Sequence, residues 1–275
     1  MRLKIYSILV IFLLVSSCSG YEKLLKSTDY DLKKSKAKEY FDAGQYVKTT
    51  ELLEQVIPRF RATDEAEDLI WMNAQSFYGM KQYEVAGSYY KSYTDQYPFG
   101  KYAEDATYLE AYCNYLISPR PELDQTATKN AIEGFNVFLG KYPHSSRVDN
   151  CRKLINDLQE KLVEKSYLNA KLYYDMNDYK AAVVALDNSL KEYTETKYRE
   201  EMMFLKLSSL FLYAENSFAN KQKKRYQDTL DDYYSFMEEF PKSTYTRDVN
   251  KIYQATAKYL KIDENVNINT ESNTN

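Results

Sequence analysis

Apolar and small residues recur along this chain with a helical stagger, and five stretches share one register. Each is centred on a small residue: Thr49, Ala86, Ala131, Ala182 and Thr229. Three positions earlier stand Tyr46, Tyr83, Thr128, Tyr179 and Tyr226. Four positions later stand Leu53, Tyr90, Phe135, Leu186 and Tyr233, and seven later Val56, Tyr93, Phe138, Ser189 and Phe236. Eleven later comes an aromatic, Phe60, Tyr97, Tyr142, Tyr193 or Phe240. These offsets fall on one face of an α-helix. The small residue lets a neighbouring helix approach, and the aromatics fill the space on either side. Pro98, Pro143 and Pro241 follow the closing aromatic in three copies. A proline disfavours helical geometry in the residue before it, so the helix ends there.

A looser pattern precedes three of these helices: Ala37 with Phe41, Ala74 with Tyr78, and Ala111 with Tyr115. Each copy therefore reads as a helix pair. The turns are predicted at Gly44, Met80-Lys81, Asn177-Asp178 and Lys224. The small residues of the second helices lie 37, 45, 51 and 47 positions apart, a period that signals stacked helix pairs. Ser118-Pro119-Arg120-Pro121-Glu122-Leu123 must be a loop, having two prolines in three residues. Residues 145–176 read as one long helix, 214–225 as an inserted loop, and 244–260 as a helix capping the last repeat. The fold class is all-α.

The N-terminus is patterned differently. Arg2 and Lys4 precede an apolar run from Ile5 to Val15, too short to span a bilayer, and Val15-Ser16-Ser17-Cys18 follows. The expected organisation is a removed signal peptide at 1–17, a lipidated tether at 18–30, the repeats at 31–261 and a disordered tail at 262–275. The tail is rich in Asn, Glu and Thr.

Composition narrows the chemistry. Among 275 residues there are 29 Tyr, which suit helix edges where the ring packs and the hydroxyl reaches water. The net charge of −3 gives a nucleic-acid role no electrostatic support. No glycine-rich phosphate loop can be built from the isolated Gly44, Gly79 and Gly87. His144 is the only histidine, so no metal site is predicted. No cofactor and no catalytic residue are expected, and the chain does not read as an enzyme. Carboxylate groups such as Glu67-Asp68, Glu104-Asp105, Glu200-Glu201 and Glu238-Glu239 are read mainly as charges at helix starts, where the helix dipole favours them. Cys113 and Cys151 read as buried free thiols, with a disulfide left open by the oxidising export route. Lys221, Lys223, Lys224 and Arg225 form a basic knot in the inserted loop, read as a solvated turn or as a contact for lipid headgroups or an acidic partner.

The repeat spacing over roughly residues 30–260 resembles the tetratricopeptide repeat, which implies a right-handed α-solenoid of about five helix pairs. The segment before Cys18 resembles a bacterial lipobox. That resemblance implies diacylglycerol on the Cys18 sulfur, usually with an acyl chain such as palmitate on its amino group, and hence a stable bilayer anchor. Ser19, not being Asp, fits outer-membrane sorting. Lipobox, five repeats and long helix together resemble the BamD family. So does the run Tyr167-Leu168-Asn169-Ala170-Lys171-Leu172-Tyr173-Tyr174, followed by Tyr179-Lys180-Ala181-Ala182-Val183. This implies an outer-membrane lipoprotein facing the periplasm, a scaffold of β-barrel assembly. Its implied partners are a BamA-like barrel protein, through its periplasmic domains, and unfolded outer-membrane proteins. Another lipid-anchored adaptor of the envelope, peptidoglycan-associated or glycan-capturing, is the alternative. In tetratricopeptide solenoids the first helix of each pair lines a groove. Transferred here, the groove comprises Lys34, Lys38, Phe41, Trp71, Gln75, Tyr78, Tyr108, Tyr112 and Tyr115, offering stacking surfaces and positive charge to an extended peptide.

Overall fold

The computed structural model describes residues 20–262; the signal peptide, Cys18 and all of the expected tail except Ile262 lie outside them. The described chain is helical throughout, without a strand. A short helix, α1 (residues 20–26), leads into α2 (Tyr30–Asp42), α3 (Tyr46–Phe60), α4 (Ala66–Gly79), α5 (Tyr83–Gln96), α6 (Ala103–Ile117) and α7 (Thr126–Lys141). The long helix α8 (Val148–Asp175) follows, then α9 (Tyr179–Glu192), α10 (Arg199–Glu215), α11 (Ala219–Glu239) and α12 (Thr246–Leu260). These helices form two compact units. The first comprises the described residues to Pro119 with Asp124–Leu158, and the second Arg120–Leu123 with those from Gln159 onward.

The second helices bear out the register. Thr49, Ala86, Ala131, Ala182 and Thr229 are all fully buried. So are Leu53, Tyr90, Phe135 and Leu186 four residues on, and Val56, Tyr93, Phe138 and Phe236 seven residues on. Each closing aromatic is the last helical residue or the C-cap. The first helices follow a tighter rule than their sequence suggested. Ala37, Ala74 and Ala111 are fully buried and 37 positions apart. In the second unit Ala170 and Leu207 are buried at the same 37-residue spacing, so the fourth and fifth first helices are the C-terminal part of α8 and α10.

Three turns are built alike. Gly44, Lys81 and Asn177 each stand seven residues after Ala37, Ala74 or Ala170, and each has a left-handed backbone with φ of 70°, 59° and 61°. The amide of the following residue reaches back to the carbonyl of Tyr40, Phe77 or Tyr173, the Schellman closure. Only glycine adopts this backbone without a Cβ penalty. Lys81→Gly is therefore expected to stabilise the fold by about 1 kcal/mol, measured as a higher midpoint in urea; a lower midpoint would contradict the turn geometry.

The fifth turn differs from its expectation. It lies at Asn216–Phe218, and Lys224 is helical, inside α11. Residues 219–225 are good helix formers and make up the first turns of α11. Lys224 pairs with Asp228 at 2.6 Å one turn on. Arg225 lies 3.6 Å from the Tyr213 ring centre and donates to the Tyr213 hydroxyl and to Ser217. The basic knot is thus partly structural. The segment expected as a tether is also ordered where described. Leu24 and Leu25 pack on the Ala37–Leu52–Leu53 cluster, and the Tyr21 hydroxyl donates to Glu51 at 2.5 Å. The Ser118–Leu123 loop, the long helix and the final helix stand as expected.

The carboxylate pairs Glu67-Asp68, Glu104-Asp105 and Glu200-Glu201 sit in first helical turns, whereas Glu238-Glu239 ends α11, where Glu239 binds Arg199. Cys113 and Cys151 are buried and unbridged, and burial pushes the Cys113 thiol up to about 12.

Candidate functional site

All nine residues of the expected groove lie in the first unit, on α2, α4 and α6. Their environments sort them into two kinds, and Tyr108 belongs to both. The first kind clamps one repeat to the next. Three residues before each buried first-helix position stand Lys34, Trp71, Tyr108, Tyr167 and Phe204. Each touches the residue that opens the following first helix. Lys34 bonds Glu65 at 2.6 Å. Trp71 stacks on Tyr102 with ring centres 4.6 Å apart and planes at 7°. The Arg147 guanidinium lies 4.7 Å from the Tyr108 ring centre. Tyr167 stacks on Tyr198 at 4.4 Å, and Phe204 on Tyr245 at 4.3 Å. The chemistry changes from ion pair to stack to cation–π, but the position is the same. Such contacts contribute about 0.5–1.5 kcal/mol each beyond the area they bury.

Lys34 and Trp71 are therefore engaged within the fold. Lys34 also pairs with Asp31 at 3.2 Å, and the hydrogen bond it donates to Glu65 holds its ammonium above the ordinary lysine range. The positive charge expected from Lys34 is neutralised there. Trp71 additionally packs on Tyr90 and Tyr93.

The second kind remains on the surface. Lys38 is exposed. Phe41 and Gln75 are half-buried, Phe41 edge-on to Tyr46 at 5.9 Å. Tyr108, Tyr112 and Tyr115 form a ladder along α6, with ring centres 5.6 Å and 5.5 Å apart and planes within 17°. All three are half-buried, so their packed rings keep an edge toward solvent. Tyr78 on α4 is close enough for burial and the neighbouring Tyr112 and Cys113 to raise its hydroxyl pKa. The spacing of the ladder places it on one side of α6, because 108, 112 and 115 recur at helical period. It can do what stacked phenols do: accept an aromatic or apolar side chain on the rings and hydrogen bonds on the hydroxyls. Tyr102, Tyr198 and Tyr245 are functional to the architecture and escaped the sequence reading, since a tyrosine before a helix carries no special signal.

Among the described residues no group of His, Cys, Asp and Glu could hold a metal ion. No described helix is long and apolar enough to cross a membrane.

Comparison with known proteins adds the following. The family model described as YfiO, outer membrane lipoprotein, matches residues 32–175 and 167–264. A protein of Aquifex aeolicus that carries the name of outer membrane protein assembly factor BamD is 24% identical over 264 residues, 93% of this chain and 82% of its own. The outer membrane protein assembly factor BamD of Caulobacter vibrioides is 21% identical over 194 residues, 69% of this chain and 64% of its own. The TPR2AB-domain:pHSP90 complex of yeast Sti1 aligns with 83% of this chain and 98% of its own, at 14% identity and a TM-score of 0.37.

Proposed function

This chain belongs to the YfiO family of outer membrane lipoproteins, and from that premise we propose that it is a scaffold of outer-membrane protein assembly. Lipid on Cys18 holds it at the outer membrane, facing the periplasm. It docks on the periplasmic domains of a BamA-like barrel and receives unfolded outer-membrane proteins. The observation that carries this reading is the extent of the family match, which takes in both units and all of the repeats.

The receiving surface in this proposal is the tyrosine ladder of α6 with Tyr78 and Lys38, a narrower set than the nine residues of the expected groove. A peptide with an aromatic residue and a terminal carboxylate finds rings at Tyr112 and Tyr115 and an exposed ammonium at Lys38. Tyr112→Ala is expected to weaken binding of a C-terminal outer-membrane-protein peptide by about tenfold, corresponding to roughly 1.4 kcal/mol, with helical circular dichroism intact. Trp71→Ala does not discriminate, because it removes an inter-repeat clamp. Crosslinks from the peptide that fall only beyond residue 145 would move the receiving surface elsewhere.

A further inference from the structure

Each unit carries a furrow walled by two second helices, and the linings of the two furrows correspond position by position. In the first unit α5 and α7 are the walls and α6 the floor; in the second, α9 and α11 flank α10. In the second unit a cation fills the floor. The Lys206 ammonium stands 2.7 Å from Asp232 and 3.4 Å from Asp187. Lys206 is the residue before Leu207, and the matching residue in the first unit, before Ala111, is Glu110. Asp232 is replaced by Gly134, three residues after the small position of its helix, and Val183 by Gly87, one residue after. Leu210 is replaced by Asn114.

The first furrow is thus opened where the second is filled. It holds a cavity of about 630 Å³ and an adjoining one of about 460 Å³, against about 390 Å³ in the second unit. Glu110, Asn114, Asn130 and Lys91 line both of the first two. Gly134 is required by packing, since a Cβ there would stand 2.8 Å from the Ala111 Cβ. Gly87 is not. Its added Cβ would meet the Cys113 Cβ at 3.4 Å, an ordinary contact. A glycine inside a helix costs backbone entropy, and here the space it leaves is the cavity. The Glu110 carboxylate makes no hydrogen bond or ion pair among the described residues. Lys91, which acts on it electrostatically, is bound by Asp95 at 2.6 Å. Burial pushes the Glu110 carboxyl above the usual carboxylate range.

We propose that this furrow seats an arginine or lysine side chain of a partner polypeptide, with Glu110 as its counter-ion. The second unit shows an ammonium held between helices by carboxylates with the charges reversed, Lys206 standing where Glu110 does and Asp187 where Lys91 does. A polypeptide fits better than a free small cation because two joined hollows exceed one guanidinium, and Asn114 and Asn130 offer both donors and acceptors to a main chain. The furrow lies on the side of α6 away from the tyrosine ladder, since 110, 114 and 117 are half a turn from 108, 112 and 115. It is independent of the receiving surface proposed above.

The test uses the full-length protein in detergent micelles, followed by NMR. The probes are a blocked Gly-Ser-Arg-Ser-Gly peptide, its citrulline counterpart and agmatine. The arginine peptide is expected to shift the Gly87 and Asn114 amide signals saturably. Glu110→Gln should weaken its binding at least tenfold with an unchanged melting temperature, and Gly87→Ala should weaken it while preserving helicity. Equal binding of the citrulline peptide, unaltered binding in Glu110→Gln, or no shift at all would overturn the proposal. Agmatine binding as tightly as the peptide would also overturn it, assigning the furrow to free cations.

Discussion

Phe135→Ala is expected to destabilise the first unit by roughly 3–5 kcal/mol, the range for emptying a buried aromatic site. Phe135 is fully buried and stands at the +4 position of its repeat. It belongs to one cluster with Ala111, Ala131, Phe138, Cys151, Leu154 and Leu158, so three successive helices lose a shared contact. The Tyr108 ring also rests against it at 5.9 Å. Collapse into the void is opposed because Ala111 and Ala131 are already fully buried and have no side chain to extend. Phe99→Ala is the control. Phe99 is 96% exposed, and its removal should change stability by no more than about 0.5 kcal/mol. Urea unfolding followed by circular dichroism measures both. Equal midpoints for the two variants would contradict the repeat register.

The register of the second helices was legible because it rests on one physical requirement, a small residue at the closest approach with large ones a turn away. That requirement leaves the same trace at Thr49, Ala86, Ala131, Ala182 and Thr229. The first helices were legible only where the small residue is alanine and the turn is short. Ala170 is hidden inside a 28-residue helix that has no break between its two roles. Leu207 takes the place of an alanine, so a search for small residues passes over it. Lys224 was misplaced because a run of charged residues looks alike in a turn and on an exposed helix face; the i to i+4 pair with Asp228 is what a helix makes of it.

The candidate site was legible in outline. The tyrosines of α6 were found because their spacing gives one face. The engagement of Lys34 and Trp71 was not, because it depends on Glu65 and Tyr102, which are about 31 residues further along and share no residue type. The furrow over Glu110 was invisible for a different reason. Polar residues on the outside of a helix read as solvated, and only the filled counterpart around Lys206 reveals that one side is empty.

The chain's family places it among outer membrane lipoproteins. The scaffold proposed above acts through what it holds. Purification of the protein from detergent-solubilised membranes measures that directly. The account predicts co-purification of a BamA-like barrel protein in near-equal amount, persisting in salt that screens weak surface pairs. Recovery of glycan-uptake or cell-wall proteins with no such barrel would contradict it.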